Sequence, residues 1–439
     1  MRFFDRKEEI ATLQQIQRLS LDNAQFTVVT GRRRVGKTHL VWKAYVGMPI
    51  LYFFVARKAE SDLCGDYMDE IREKLGIATP GNASRFSEIF EYLMKLSIDR
   101  PITLFIDEFQ EFYRVNRSIF SDMQRIWDMY HSRSHINLIV CGSIFSMMSK
   151  IFRDKKEPLY NRQTRMMTIK PFAPSVLKEI IAEYNPDYCA DDLLALYSFT
   201  GGVAKYVGIL VDSGATTKAR MIDRIISADS IFLGEGKATL IEEFGKDYGI
   251  YFSILSAIAR GKTSRAEIEA IVGKEIGGYL TKLEAEYEVI SKQQPLFATS
   301  PGKNVRYTID DNFFSFWFRF IYKYNYMLEI ENYDALRTII NRDYDTFSGL
   351  MLERYFKRVM VESKLYTRIG SWWDRKGENQ IDIIAENELY DTVTFVEVKR
   401  NAANYDADLL HNKIASFTRA TGKYEHFTIA QQCLSLLDV

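Results

Sequence analysis

Apolar and polar residues alternate along the first 171 positions in a βα rhythm. Short, continuous apolar runs at Gln25–Thr30, Ile50–Val55, Ile102–Ile106, Asn137–Cys141 and Met166–Ile169 are separated by amphipathic stretches such as Asp66–Leu75 and Arg85–Leu96. Continuous rather than alternating apolar strands, spaced by helices, predict a parallel sheet covered on both faces. From Ser175 to about Phe244 the period is helical, broken at Gly201-Gly202 and Gly214. Between Asp247 and Asp311 three short helical patterns precede two strand-like runs, Leu296–Thr299 and Val305–Ile309, around Pro301-Gly302. Three helices and a hairpin make a winged helix. The aromatic run Phe313–Phe320 reads as core, and the last stretch reads helix, strand, strand, strand, helix, strand.

The expected architecture is therefore multidomain α/β. It comprises a parallel-sheet α/β core over 1–172, a helical lid over 173–246, a winged helix over 247–312, a helical connector over 313–344 and a C-terminal α/β domain over 345–439. The length of 439 residues suits two to four domains. Lys plus Arg number 58 and so do Asp plus Glu, which excludes a protein that coats DNA by bulk charge. No signal-peptide core and no apolar run of membrane-spanning length is present. Four scattered cysteines fit a reducing compartment, so a cytoplasmic location without membrane contact is expected.

The strongest chemical signal follows the first strand. Gly31-Arg32-Arg33-Arg34-Val35-Gly36-Lys37-Thr38 is a complete G-x-x-x-x-G-K-T in strand-to-helix context, with His39 next on the helix. Its glycines let backbone N–H groups turn toward a β-phosphate, and the helix start offers its positive end to the anion. Lys37 is placed to bridge the β- and γ-phosphates of ATP and Thr38 to ligate Mg²⁺. The three arginines are read as a solvated loop face. Ile102–Ile106 then delivers Asp107 to the Mg²⁺ shell and Glu108 to polarise the attacking water. Ser143 either senses the γ-phosphate from a neighbouring strand or simply ends that strand. Arg162 either contacts phosphate, in cis or in trans, or is a solvated loop arginine.

These motifs, taken together, resemble the archaeal-type ATPases, a STAND-like branch of the AAA+ P-loop ATPases. The resemblance rests on Phe4-Asp5-Arg6-Lys7-Glu8-Glu9-Ile10, in which Asp5 and Glu8 read as a capping box, and on the Walker A and B runs. It rests also on Gly142-Ser143, Pro158-Leu159-Tyr160-Asn161-Arg162 and Thr200-Gly201-Gly202-Val203-Ala204-Lys205-Tyr206. The chain departs where the family tends to carry Gly, at Asn161, and Pro, at Ala204. The resemblance implies ATP binding and Mg²⁺-dependent hydrolysis.

A second cluster stands near the C-terminus. Gln380–Ala385 and Phe395–Arg400 read as strands, and alternation puts Phe395, Glu397 and Lys399 on one face. With Asp382 on a paired strand, two carboxylates and an ammonium converge. Such carboxylates hold a hard divalent ion, which activates water, and Lys399 would orient or deprotonate that water. Glu353 sits on a helix three residues from Leu350 and Phe356, and so on its packed side. The Glu, Asp, Glu-x-Lys order, with Trp372-Trp373, resembles the PD-(D/E)xK nuclease pattern. Glu353, Asp382 and Glu397 are then the expected metal ligands, and Asp382, Glu397 and Lys399 the catalytic set. The alternative is plain solvent-facing alternation on a scaffold domain.

Charge tempers any DNA partner. Over Tyr251–Asp311 eight basic residues meet eight acidic ones, and the expected recognition helix, Glu275–Glu288, carries one Lys against four Glu. Phosphates would repel it, which favours a packing or regulatory role, leaving Lys292, Lys303 and Arg306 of the wing for a nucleic-acid backbone. From Leu350 to Val439 there are 12 basic and 13 acidic residues. The expected partners are ATP, DNA through local patches and bound metal, and a protein partner or a second copy of the chain.

Overall fold

The computed structural model describes residues 1–77, 83–298 and 304–439. It divides into two compact units, Asp5–Pro171 and Met1–Phe4 with Phe172–Val439.

In the Asp5–Pro171 unit five strands, β1 (Gln25–Thr30), β2 (Leu51–Phe54), β3 (Ile102–Asp107), β4 (Ile136–Cys141) and β5 (Arg165–Thr168), form one sheet in the order β2-β3-β4-β1-β5. Every neighbouring pair is parallel. All six residues of β3 and of β4 are buried, as a sheet covered on both faces requires. Aromatic packing closes one side, with Phe53 stacked on Tyr67 at 4.2 Å. The polar residues on these central strands are satisfied internally: Asn137 donates to Gln17 at 2.6 Å and to the Tyr45 hydroxyl at 3.1 Å, and Thr103 donates to Gln17 at 2.9 Å.

The expected capping box at Asp5 and Glu8 is not formed. Arg6 occupies the cap of the Lys7–Leu19 helix with φ 69°, a left-handed backbone that no side chain caps. An extended cap residue is needed to turn its side chain onto the first amides. Arg6 instead donates to Glu9 at 3.1 Å and to the Lys170 carbonyl at 2.5 Å.

In the second unit five helices, Pro174–Tyr184, Ala190–Thr200, Ala204–Asp212, Lys218–Ile225 and Ile231–Phe244, follow the expected helical stretch. Three more, Tyr248–Ala259, Arg265–Val272 and Gly277–Ala285, precede the antiparallel pair β6 (Ile290–Gln293) and β7 (Arg306–Ile309). The first strand of this hairpin was expected at Leu296–Thr299. Its described part, Leu296–Ala298, is a turn whose apolar side chains pack on the C-terminal sheet, so their hydrophobicity reports docking rather than pairing. Thr299, Pro301, Gly302 and Lys303 lie outside the described residues.

The aromatic run is core, with Phe313, Phe314, Phe316, Trp317, Phe318 and Phe320 all buried. A single helix, Tyr333–Ser363, runs through the expected 344/345 boundary. Its buried side is Phe347, Met351, Leu352, Tyr355, Phe356 and Met360; Leu350 and Val359 are exposed. Four strands follow, β8 (Arg368–Trp373), β9 (Gln380–Asn387), β10 (Thr392–Lys399) and β11 (Thr428–Ser435), ordered β11-β10-β9-β8. The β10–β11 pair is parallel and the others antiparallel. Ile383, Ala385, Val396 and Val398 join the core that includes the Tyr333–Ser363 helix, whereas Ile381, Ile384 and Phe395 pack with Leu410, Ile414 and Phe417 of the Ala407–Thr421 helix. Among the described residues no helix is long and apolar enough to cross a membrane.

Candidate functional site

The first site is built where β1, β3 and β4 end side by side. The loop after β1 needs backbone that only glycine supplies: Gly31 has φ 141°, and a Cβ there would lie 2.4 Å from the Ile169 carbonyl oxygen. Gly36 (φ 94°) forms the N-terminal cap of the Lys37–Ala44 helix. Val35 and Lys37 are buried, Arg32, Arg33 and Arg34 are half-buried, and His39 is exposed. The Lys37 ammonium donates to the carbonyls of Gly31 and Arg32, each at 2.9 Å, so it is folded back along its own loop.

Thr38 and Asp107 meet directly, the hydroxyl donating to Asp107 Oδ2 at 2.7 Å. The same carboxylate accepts the Tyr52 hydroxyl at 3.4 Å and, through Oδ1, the Glu108 backbone N–H at 2.9 Å. Burial and the Asp107 charge push the Tyr52 phenol well above its ordinary range. Glu108 is a left-handed residue, φ 54°. Its Oε2 accepts the Ser143 hydroxyl at 2.7 Å and the Gln110 amide at 2.5 Å. Ser143 therefore touches the catalytic candidate rather than only ending a strand. Tyr52 and Gln110 escaped the sequence reading because neither belongs to a motif; their contacts arise from β2 lying beside β3 and from the turn after Glu108.

Arg162 is placed differently. It makes a two-pronged ion pair with Asp128, at 3.0 and 3.2 Å, and donates to the Tyr160 carbonyl. Its neighbour Asn161 has φ 56°, a conformation open to Gly and Asn, which explains how Asn stands where the family tends to have Gly. Ala204 is the first residue of its helix, a position that accepts Pro because that N–H has no helical partner.

The C-terminal cluster converges in part. The registered β9–β10 ladder ends at Val396–Ile383; beyond it the Asp382 carboxylate takes the Val398 N–H at 2.9 Å. Gln380 donates to the other Asp382 oxygen at 3.3 Å. Glu397, 5% exposed, accepts Lys399 at 2.8 Å and Lys413 at 2.9 and 3.0 Å. Burial and the nearby Asp382 charge raise the Glu353 carboxyl to about 7, and burial raises Asp382 as well. Yet among the described residues no group of three or more His, Cys, Asp and Glu is placed to hold a metal ion. The expected centre of Glu353, Asp382 and Glu397 is thus not assembled in this arrangement. Asp382 and Glu397 are turned to protein donors, above all Lys413, whose ammonium donates to both Glu397 oxygens. Lys413 was legible in principle, since it falls between the inward-facing Leu410, Ile414 and Phe417 of one helix.

Of the expected wing residues, Arg306 is engaged within the protein. Arg306 donates to Gln380 at 2.8 Å and lies over the Trp373 ring at 4.3 Å. Asn304 donates to the Asp374 carbonyl, Trp373 to the Asn304 carbonyl, and Leu296 to the Ser371 carbonyl. Arg306 faces the C-terminal sheet, not a free nucleic-acid surface. Lys292 remains exposed on β6.

A profile describing an ATPase domain found predominantly in Archaea matches residues 3–210, and one describing archaeal and bacterial proteins of unknown function matches 317–409. An uncharacterized protein of Methanocaldococcus jannaschii is 30% identical over 412 residues, covering 90% of this chain and 87% of that protein. This chain belongs to the archaeal ATPase family. Its fold is similar to that of a Walker-type ATPase of Pyrococcus abyssi, with a TM-score of 0.54 at 20% identity over 72% of this chain and 96% of that one. Membership makes the protein a nucleotide-binding ATPase, and the β1–β3–β4 rim is where its motifs converge.

Proposed function

We propose that the protein is a Mg²⁺-dependent, ATP-hydrolysing switch coupled to a nuclease-like C-terminal domain. One observation carries the ATPase half: Thr38 from the helix after the glycine loop, Asp107 and Glu108 from the end of β3 and Ser143 from beyond β4 meet on one continuous hydrogen-bonded rim. The Thr38 hydroxyl and Asp107 carboxylate are hard oxygen donors in contact with each other, a set that suits Mg²⁺. When bound, that ion neutralises charge on the β- and γ-oxygens.

The chain's own residues then divide the work. Gly31 through Gly36 wrap the phosphates with backbone N–H groups, and Lys37 leaves its loop carbonyls for the γ-phosphate. Glu108 orients water for attack on the γ-phosphorus and takes its proton as the bond to ADP breaks. In the arrangement observed, Ser143 and Gln110 hold the Glu108 oxygen that would do this. Release of that oxygen is the step by which bound ATP becomes a signal. An ATPase assay of wild type against Lys37→Ala and Glu108→Ala tests the reading; equal turnover in all three removes it.

For the C-terminal unit, the support is Asp382, Glu397 and Lys399 on adjacent strands, with Glu353 near enough to feel their charges. The domain would act on DNA once Lys413 leaves Glu397 and a divalent ion replaces it. The three helices and hairpin would be a winged helix serving packing and regulation, as the committed Arg306 suggests. A second reading, a nucleotide-gated module whose C-terminal domain is a scaffold for a protein partner, draws on the Lys413–Glu397 pair. Incubating plasmid and branched DNA with Mg²⁺ or Mn²⁺, against Asp382→Ala, separates them. Cleavage that depends on Asp382 supports the nuclease; none in any nucleotide state leaves the scaffold.

A further inference from the structure

A cavity of about 200 Å³ lies within the second unit, between the hairpin, the Tyr333–Ser363 helix and the edge of the C-terminal sheet. Four cations line it: Arg306 from β7, Arg319 from the aromatic segment, and Arg354 and Lys357 from the long helix. Against them stands one acid, Glu353. None of the four cations has a carboxylate within ion-pair distance among the described residues. Their partners are neutral: Arg306 bonds Gln380, Arg319 the Ala259 carbonyl, Arg354 Asn312 and Ser315, and Lys357 Ser371. All four are half-buried, and a cation partly removed from water is ordinarily paired, because an isolated charge with reduced hydration is costly. Burial lowers the proton affinity of the Arg306, Arg354 and Lys357 side chains.

We infer that this cavity is a binding site for a small phosphorylated anion, held by Arg306, Arg319, Arg354 and Lys357. A phosphate monoester or diphosphate supplies the charge the cavity lacks, and guanidinium forks match its oxygens. The volume is below the roughly 300–1,000 Å³ of sites for drug-sized ligands, so the ligand is small. Asp382, Glu397 and Lys399 do not line the cavity, although Glu353 of the expected metal set does, so the cavity adjoins that cluster. Its walls come from both the hairpin and the C-terminal sheet, so an occupant ties the two together.

Titration calorimetry with inorganic pyrophosphate and with ribose 5-phosphate tests it, using the full chain in a Lys37→Ala background to weaken phosphate-loop binding. One site per chain is expected, with a dissociation constant of roughly 0.1 mM or tighter. Arg306→Gln and Arg319→Gln should each weaken it by about tenfold or more, while Lys292→Gln on the same hairpin leaves it unchanged. A thermal-melt comparison identifies a variant that fails to fold, and the other variant then decides. No binding of either probe at millimolar concentration, or binding weakened less than twofold by the folded variants, overturns the inference.

Discussion

Replacing Gly31 by Ala perturbs the glycine loop after β1 at a tightly constrained point. Two costs add. The backbone angle of 141° lies where L side chains rarely go, which costs about 1–3 kcal/mol. The new methyl would also sit 2.4 Å from the Ile169 carbonyl oxygen, a backbone atom that cannot rotate away. Ile169 N–H is itself bonded to the Thr30 carbonyl at 2.8 Å, so moving it pulls on the β1–β5 edge. For a domain of this size each kcal/mol lowers Tm by about 2–4 °C, giving a fall of about 2–12 °C from strain alone. The loop must open to relieve the clash, so ATP affinity should fall by at least about tenfold. Gly65→Ala is the control: Gly65 lies mid-helix with nothing within 4 Å of an added methyl, and Ala there should stabilise by about 0.5–1 kcal/mol. Melting curves and nucleotide titration read both variants. A Gly31→Ala protein that binds ATP within twofold of wild type would refute the loop geometry.

Lys413→Met strips one ammonium from the buried Glu397 and should cost about 1–3 kcal/mol in urea denaturation; an unchanged midpoint contradicts the ion pair. The Glu353 carboxyl is raised in the folded state above its ordinary value near 4.3, so folding favours its protonated form. Its contribution to stability is therefore lost as pH rises from about 4.3 to about 7, and Glu353→Gln should flatten that limb of a stability–pH curve. Burial pushes the Cys64 thiol up to about 12 and Cys141 well above its usual value, so at pH 8 in native protein both should resist a disulfide reagent that labels the exposed Cys189. Thr38→Ala should abolish the Mg²⁺ dependence of nucleotide binding, seen as equal affinity with and without EDTA.

Much of the ATPase core was legible because parallel strands buried on both faces are written as unbroken apolar runs, and β1 and β3 match theirs within a residue. The phosphate loop was legible because its chemistry needs particular residues at fixed spacing. What escaped was set by tertiary context. The Asp5–Glu8 pattern has the composition of a capping box, but the Arg6 backbone turns left-handed to reach Lys170. Leu296 and Phe297 look like a strand because they are apolar, and they are apolar because they pack on the neighbouring sheet. The Glu397 environment misled for a similar reason. Strand alternation places its side chain, but the ammonium that meets it arrives from Lys413 on another element. The long helix shows the same limit at domain scale, since nothing in its amphipathic pattern marks 344/345 as a boundary that Tyr333–Ser363 would cross.

The central claim is that the β1–β3–β4 rim hydrolyses ATP through Glu108. Steady-state release of phosphate from ATP and Mg²⁺ measures it most directly, for wild type, Lys37→Ala and Glu108→Gln. Turnover is expected in wild type and its loss in both variants, with Glu108→Gln still binding ATP. Turnover in Glu108→Gln equal to wild type would contradict it.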